Sequence, residues 1–397
     1  MGDLTERVTR KNQDLVSELP LTISAQYGLI DQNEFFEKRV ASKDVSGYYL
    51  IKNGEFAYNK STSSDAPWGA IKRLDRYENG VLSTLYIVFA IKDNVPIDSD
   101  FLVSYYSTNL WHKGIHEIAA EGARNHGLLN IAPSDFFGTK LMVPQDIEEQ
   151  RKIGKYFAQL DTLITLHQRK CDEVKTLKKY MLQKMFPQNG MNIPEIRFSG
   201  FTDVWEQRKF PEFVSFFNGL TYTPDDVQDT GTLVLRSSNV KNGEIVDADN
   251  VYVSDKVAIS ENVQKGDIIV VVRNGSRALI GKHAQIKAFM PNTVIGAFMT
   301  GLRSEQSSFV NALLDTSAFE KEIAKNMGAT INQITGYMFS KMEFMIPSEK
   351  EQQKIGDYFT NLDHLITLHQ CKCFHIQNVL KFIRVKIITV EKEKSDA

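Results

Sequence analysis

KIGKYFAQLDTLITLHQRKC, at residues 152–171, and KIGDYFTNLDHLITLHQCKC, at residues 354–373, are two copies of one segment. Fifteen of their twenty positions are identical, and the two copies start 202 residues apart. A proline and an acidic stretch that contains glutamine precede each copy, at 144–150 and at 347–353. Agreement of this extent identifies an internal duplication, so the chain is organised as two repeats.

Both copies are predicted to be long helices. Apolar or half-apolar residues recur at alternating intervals of four and three, which is the spacing of a helix seam. We expect these residues to pack the helices together: Ile153, Phe157, Leu160, Ile164 and His167 in the first copy, and Ile355, Phe359, Leu362, Ile366 and His369 in the second. A long helix with one apolar stripe is unstable alone, and the chain must return between the copies. The sequence therefore predicts an antiparallel helix pair with pseudo-twofold symmetry.

Composition excludes several classes of protein. The chain has 397 residues, of which 42% are hydrophobic and 24% charged, and its net charge is −2. It lacks an apolar run of about 18 residues, so no membrane association is expected, and bulk charge alone would not hold a nucleic acid. Three cysteines do not make a disulfide framework, and Cys371 and Cys373 lack the second ligand pair of a zinc site. We expect a cytoplasmic protein without a bound metal.

The two remaining segments are each of single-domain size. The predicted boundaries are a first domain at 1–143, a first helix at 144–187, a second domain at 188–346, a second helix at 347–392 and a charged tail at 393–397. Pro, Gly and Asn mark 188–210 as a linker. Apolar runs predict strands at 48–51, 85–89, 232–236 and 267–273, and helices at 100–113 and 307–326. The fold class is therefore mixed α/β (α+β), with two globular domains separated by two long helices.

This arrangement resembles the specificity subunit of type I restriction–modification systems. The resemblance rests on 144–153 and its twin 347–355, on the lead-in IPEIRF (193–198) and WEQRK (205–209), on LQKMFP (182–187), and on the order domain, helix, domain, helix. It covers nearly the whole chain. The first domain begins at Met1 without the lead-in that precedes the second, and the second helix ends differently from the first.

The resemblance implies a non-catalytic DNA-recognition subunit. Each globular segment would be a target-recognition domain that reads one half of a split, asymmetric site in double-stranded DNA. The helices would set the unread gap and dock two methyltransferase subunits that modify adenine. S-adenosylmethionine would be bound by those partners, with no cofactor on this chain, and ATP-dependent restriction subunits would join the complex.

Candidate DNA-reading residues are the polar and basic side chains of predicted loops, because such groups hydrogen-bond to base edges. In the first domain they are Tyr58, Lys60, Ser61, Ser63, Trp68, Lys72, Arg73, Arg124, Asn125 and His126. In the second domain they are Arg236, Ser237, Asn239, Lys241, Arg273, Asn274, Ser276, Arg277, Lys282, Asn332 and Gln333. The arginines around Asn274 best fit a reading role, since they flank a turn that ends a buried strand. For the other stretches an ordinary polar turn is the alternative.

Two other functions compete with DNA recognition. The helix pair could act as a spacer in a structural or interaction protein, or the chain could be a stand-alone DNA-modifying enzyme. The enzyme is disfavoured, because the sequence holds no glycine-rich cofactor fingerprint, no P-loop and no nucleophile elbow.

Overall fold

The computed structural model describes residues 1–24, 27–63, 66–119, 127–188, 190–327 and 332–395, with the backbone alone at 385 and 387–395. The chain divides into two compact units. Unit 1 comprises Met1–Gln168 and Cys371–Ala397, and unit 2 comprises Arg169–Gln370. Each unit therefore combines one globular segment with parts of both duplicated helices.

Unit 1 is a mixed α/β structure built on an antiparallel sheet. Its described strands are β1 Thr5–Arg7, β2 Leu21–Ser24, β3 Gly28–Asp31, β4 Tyr49–Lys52, β5 Phe56–Asn59, β6 Ala70–Arg73, β7 Asn79–Leu82 and β8 Ile87–Ile91. Its described helices are α1 Gln32–Phe36, α2 Ser99–Tyr106, α3 His112–Ile118, α4 Pro133–Gly138 and the start of α5, Ile147–Lys184. The main sheet has the strand order β1-β8-β5-β6, and β2 pairs with β3 and β4 with β7.

The central strand β5 is buried on both faces, although Tyr58 was predicted to lie in a loop. Phe56 and Tyr58 belong to a core cluster that also contains Phe101 of α2. Ala57 points to the other face and joins a cluster that contains Leu82 of β7. The alternation of side chains along one strand thus divides the core of unit 1 into two layers.

Unit 2 repeats this plan with an added mixed sheet. Its described strands are β9 Glu206–Lys209, β10 Ser215–Asn218, β11 Val227–Gln228, β12 Thr232–Leu235, β13 Val240–Lys241, β14 Glu244–Ile245, β15 Val251–Val253, β16 Ile268–Val271, β17 His283–Gln285, β18 Thr293–Ile295, β19 Met299–Arg303 and β20 Glu343–Ile346. Its described helices are the end of α5, then α6 Ser307–Leu314, α7 Ser317–Asn326, α8 Gly336–Lys341 and the start of α9, Glu349–Ser395.

The two units share one sheet topology although their sequences differ. The strand order β10-β19-β16-β17 in unit 2 matches β1-β8-β5-β6 in unit 1, and every pairing in both sheets is antiparallel. In each unit the sheet is followed by shorter helices and then by a long helix. The sequence predicted duplication in the helices, and the structure extends it to the sheets.

Two predicted helices are interrupted. The segment 307–326 forms α6 and α7, because Thr316 caps α7 by accepting a hydrogen bond from the Phe319 backbone N–H at 3.5 Å. The segment 100–113 likewise divides between α2 and α3. Apolar periodicity continues through both breaks, so the apolar pattern alone does not locate them. Helix α9 runs to Ser395, past the predicted end at 392, because glutamate and lysine in that stretch favour helix.

Part of the predicted linker at 188–210 packs into the core of unit 2. Trp205 is 2% exposed, and its ring lies 5.8 Å from that of Phe186 and 6.2 Å from that of Phe309. Strand β9 then pairs with β20. The linker interpretation was wrong here, because one large aromatic side chain outweighs the surrounding turn residues.

Near its start, each long helix packs closely against the globular segment that precedes it, and a glycine lies at the contact. A Cβ atom on Gly154 would lie 2.7 Å from the Phe101 backbone nitrogen, and one on Gly356 would lie 2.8 Å from the Phe309 backbone nitrogen. One turn earlier, the Gln150 and Gln352 side chains donate to the Pro144 and Pro347 carbonyls, at 2.8 and 2.9 Å. Both copies of the repeat therefore use the same contacts to receive the domain that precedes them.

We predict that Gly356→Ala destabilises unit 2. Alanine normally stabilises a helix relative to glycine by about 1 kcal/mol, but here the methyl group would meet backbone atoms. The overpacked site should instead lower the free energy of unfolding by about 1–3 kcal/mol, measured by denaturant titration. Thr360→Ala, at an exposed position of the same helix, is the control and should not destabilise. An increase in stability for Gly356→Ala would contradict the close approach.

Within the described residues, no helix combines the length and the apolar character needed to cross a membrane.

Candidate nucleic-acid interface

Three segments that are distant in sequence converge at one end of β16 in unit 2. The Asn274 side chain donates to the Ser237 hydroxyl at 3.2 Å, and the Asn274 backbone N–H donates to the Asn332 carbonyl at 3.4 Å. In return, the Asn332 side chain donates to the Gly275 carbonyl at 3.1 Å. We call these three segments, 236–238, 273–277 and 332–333, together with the segment 296–298 that contains Phe298, the reading cluster.

Arg273 is the side chain of the reading cluster best placed to meet a ligand. Its backbone forms a bridge with Gln333, and its guanidinium carbon lies 5.0 Å from the centre of the Phe298 ring. Arg273 and Arg277 are exposed, and within the described part of the chain neither has an ion-pair partner. An exposed guanidinium positioned over an aromatic ring can offer its N–H donors to the paired acceptors of guanine.

A cleft of about 680 Å³ borders the reading cluster. Its lining includes Tyr222, Arg236, Ser237 and Phe298. The Arg236 guanidinium donates to the Asp249 carboxylate at 2.6 Å and to the Asp249 carbonyl at 2.7 Å. Arg236 is thus already held by an acidic partner, and it shapes the cleft rather than projecting from it.

Three predicted readers of unit 2 lie outside the reading cluster. Asn239 is buried, and its amide donates to the Ala248 carbonyl at 2.8 Å and to the Asn250 side chain at 2.9 Å. It closes a turn, so it is removed from the candidate set. Lys241 is exposed on β13, and Lys282 lines a separate cavity with His283.

A matching convergence occurs in unit 1. Ser61 pairs with Leu128, and the Thr62 backbone N–H donates to the Gly127 carbonyl at 2.7 Å. These contacts follow β5 as those of Arg273 and Gln333 follow β16, the corresponding strand of unit 2. The polar loop that carries Ser61 and Ser63 therefore occupies the same place in its sheet as the reading cluster.

Several predicted readers of unit 1 have structural roles instead. Tyr58 is 0% exposed, its ring stacks 5.1 Å from that of Phe136, and its hydroxyl donates to the Trp68 carbonyl at 2.8 Å. Burial raises the pKa of the Tyr58 hydroxyl. Arg73 forms ion pairs of 2.6 Å with Asp75 and 2.7 Å with Asp100. Both residues are removed from the candidate set, because their polar groups are bound within the unit.

The remaining predicted DNA-reading residues of unit 1 lie in several different places. The Lys60 ammonium donates to the Ile131 carbonyl at 3.4 Å, and Trp68 packs edge-on to His116 with 5.1 Å between ring centroids. Lys72 is half-buried on β6, and burial lowers the pKa of its ammonium. Arg124, Asn125 and His126 lie outside the described residues.

The predicted seam residues are buried or half-buried on both long helices. Phe157, Ile355, Phe359 and Leu362 are buried, and the partly exposed members are Ile153, Leu160, Ile164, His167, Ile366 and His369. Ile153 packs against the core cluster of unit 1, and Ile355 belongs to the core cluster of unit 2. Part of each stripe therefore faces a globular segment rather than the other helix.

Phe298 is the residue of the cluster that sequence reasoning missed. It is 54% exposed, although it lies between two buried strands, β18 and β19. The preceding Gly296 and Ala297 are the only signal of a turn there. An apolar residue in an apolar context predicts burial, so only the three-dimensional arrangement identifies its exposure.

Comparisons with known proteins agree with the geometry. Residues 202–375 match the model of the type I restriction modification DNA specificity domain. The StySPI specificity subunit of Salmonella potsdam is 25% identical over 194 residues, 46% of this chain and 42% of that protein. The MjaVIII specificity subunit of Methanocaldococcus jannaschii is 22% identical over 325 residues, 79% of this chain and 74% of that protein. This chain therefore spans less than half the length of the StySPI subunit that it matches.

A solved structure shares the fold. The type I restriction-modification system S subunit from M. genitalium superposes with a TM-score of 0.61 at 14% identity, covering 98% of this chain and 93% of that chain. These matches agree with the resemblance to type I restriction–modification specificity subunits. The matching family model covers part of the second globular segment and the start of its helix.

Proposed function

We propose that this chain is the DNA sequence-specificity subunit of a type I restriction–modification complex, and that each globular segment reads one half of a split DNA site. One observation carries this proposal: two units with the same sheet topology end the corresponding strand in loops of different chemistry. Hydroxyl groups predominate at Ser61 and Ser63, whereas arginine and amide groups predominate around Arg273 and Asn332. Two domains that share a sheet topology but carry different loop residues would read two different half-site sequences, as an asymmetric DNA site requires.

We assign the proposed domains as predicted, with target-recognition domains at 1–143 and 188–346 and spacer helices at 144–187 and 347–392. Antiparallel packing of the helices is supported within unit 2, where Cys171 lies beside the Ile366 carbonyl and Lys178 beside Asp363. As the residue number rises on α5 it falls on α9. A rigid helix pair of this kind would fix the unread gap between the half-sites.

The outer surface of the long helices supports docking of partner proteins. On α5 the side chains of Leu163 and Leu166 are 43% and 49% exposed, and their repeat equivalents Leu365 and Leu368 on α9 are 39% and 36% exposed. Apolar side chains at equivalent positions of a repeat offer the same surface twice. We propose that two methyltransferase subunits, which carry S-adenosylmethionine, dock there, that restriction subunits join them, and that the cytoplasmic complex performs the chemistry.

Replacing both Leu365 and Leu368 by glutamate should weaken methyltransferase binding by at least about tenfold, which corresponds to about 1.4 kcal/mol. Hot-spot residues at the centre of an interface each cost about 2 kcal/mol or more when truncated. Isothermal titration with the purified methyltransferase measures the effect. The control variant carries Asn361→Glu and His364→Glu, which add the same two charges at exposed positions of the same helix, and it should bind nearly as well as the unchanged chain. Unaltered binding by the double variant would place the docking surface elsewhere.

The proposed function is tested by mapping methylated adenines in cells with and without this gene. We expect one two-part motif to be methylated only when the gene is present. The purified chain should then direct the methyltransferase to that motif in vitro, and it should transfer no methyl group alone. An unchanged methylation pattern, or methyl transfer by the isolated chain, would contradict the proposal.

A further inference from the structure

One aspartate of the repeat, Asp161 in the first copy and Asp363 in the second, meets a basic residue of the other long helix. In unit 2, the Lys178 ammonium donates to the Asp363 carboxylate at 2.6 Å. In unit 1, Arg384 forms an ion pair with Asp161, and its guanidinium carbon lies 5.2 Å from the centre of the Phe157 ring. Lys178 and Arg384 are not equivalent positions of the repeat, so the shared feature is the pairing rather than the residue.

The cluster in unit 2 also reaches the target domain. Lys178 donates to the Asp315 carboxylate at 2.7 Å, and Asp315 ends α6. The His283 Nε2 atom of β17 lies 3.4 Å from that carboxylate, while His283 Nδ1 faces the Gly281 carbonyl at 3.1 Å. The Lys178 side chain is 16% exposed. A continuous set of polar contacts therefore runs from α9 through α5 to the central sheet.

In unit 1 the charges of Asp161 and Arg384 act on a basic side chain of an edge strand, Lys72. Lys72 lies on β6, which takes the same edge position in its sheet as β17. Burial lowers the pKa of the Lys72 ammonium, and the charge of Asp161 opposes this effect while that of Arg384 adds to it. In both units, then, a duplicated aspartate pairs with a cation from the other long helix. In unit 2 the basic side chain of one edge strand, His283, completes the group through Asp315.

Charge balance makes the unit 2 cluster sensitive to its lysine. Burial tends to raise the pKa of the Asp315 carboxyl, but His283 and Lys178 outweigh it and lower that pKa to about 2. Burial raises the pKa of Asp363, because the charges of Lys178 and Lys287 only partly offset the effect of burial and the Asp315 charge adds to it. Without Lys178, two carboxylates would face each other in a mostly buried site.

We propose that these two groups, here called the anchor clusters, hold each target domain at a fixed angle to the long-helix segments of its own unit, and thereby set which gap length the chain accepts. This inference rests on the proposed function. The anchor clusters contact the helices and the sheet edge but include no member of the reading cluster. Lys178 is thus a positioning residue, which should affect spacing without affecting base preference.

The first test measures methylation of DNA sites whose gap is one base pair shorter, unchanged or longer, using the complex with the methyltransferase. Lys178→Met keeps the apolar stem and removes the charge. We expect its preference for the natural gap to fall at least tenfold while both half-site sequences stay the same. Lys178→Arg should restore the preference, and Lys179→Met, at the exposed neighbour, should leave it unchanged.

A uniform loss of activity on all three gaps, or an unchanged preference, would overturn the proposal. Asp363→Asn removes charge from the other partner of the ion pair and serves if Lys178→Met fails to fold. The same relaxed spacing is expected of it.

The second test does not depend on DNA. Spin labels at residues 176 and 276, both exposed in unit 2, report the distance from α5 to the reading cluster when Cys371 is replaced by serine. We expect one narrow distance distribution in the unchanged background and a broader one with Lys178→Met. Equal distributions would overturn the anchor. If the unchanged complex shows no gap preference, the proposed function is wrong. The spin-label distances would still show whether the anchor cluster of unit 2 positions its target domain.

Discussion

Replacing Arg273 by alanine is expected to cost about 1–3 kcal/mol of binding free energy at one half of the DNA site, and to relax the base preference there. Arg273 is exposed, its guanidinium carbon lies 5.0 Å from the centre of the Phe298 ring, and its backbone forms a bridge with Gln333. Its loss would remove paired donors that suit guanine. The other half-site should keep its preference, because its reader is proposed to be unit 1.

This result is measured by titrating the assembled complex with DNA in which each base of the site is varied in turn. Arg208→Ala is the matched control, since Arg208 is an exposed arginine of the same unit on β9 rather than in the reading cluster. Loss of affinity that is the same for every sequence would indicate a phosphate contact. Unchanged affinity and preference would remove Arg273 from the set of readers.

Inserting four residues after Gln168 and four after Gln370 should move the preferred gap while leaving both half-sites unchanged. Each insertion adds one helical turn of about 6 Å, and neighbouring base pairs are about 3.4 Å apart. We therefore expect a gap longer by about one to two base pairs. Methylation of the original site should fall by orders of magnitude, because only one half-site could be engaged at a time.

Methylation mapping in cells that carry the lengthened gene measures the new gap. The control variant carries Lys170→Ala and Lys372→Ala, exposed substitutions near the insertion points that do not change helix length. It should methylate the original site. A changed half-site sequence in the lengthened protein, or an unchanged gap, would contradict the role of the helices as a spacer.

The long helices and the central strands were predictable because local pattern specifies them. Apolar residues around Phe157 and Phe359 recur at alternating intervals of four and three, and this spacing follows from helical geometry alone. Both phenylalanines are buried. The apolar run at 267–273 contains β16, which is buried throughout. Where one apolar pattern crossed a capping residue such as Thr316, the pattern alone could not locate the break.

The site was predictable only in part, because polar side chains in loops have several uses. Arg273 and Asn274 lie in the reading cluster as expected. Asn239 and Arg73 have equally suitable chemistry, yet each also binds a partner distant in sequence, the Ala248 carbonyl for Asn239 and the Asp100 carboxylate for Arg73. Local sequence does not show which loop donors are already bound, and Phe298 shows the converse error for an apolar residue.

Unit 1 is assembled from two segments that are distant in sequence, and this affects how it folds during synthesis. Residues 1–168 leave the ribosome early, but Leu380, which is 3% exposed, and Arg384, which covers Phe157, belong to the other stretch. At about 5–20 residues per second, the intervening 200 or so residues take about 10–40 s. During that interval the apolar stripe of α5 has no α9 to cover it. Slow translation would therefore prolong a state prone to aggregation, and the first-made unit would be completed last.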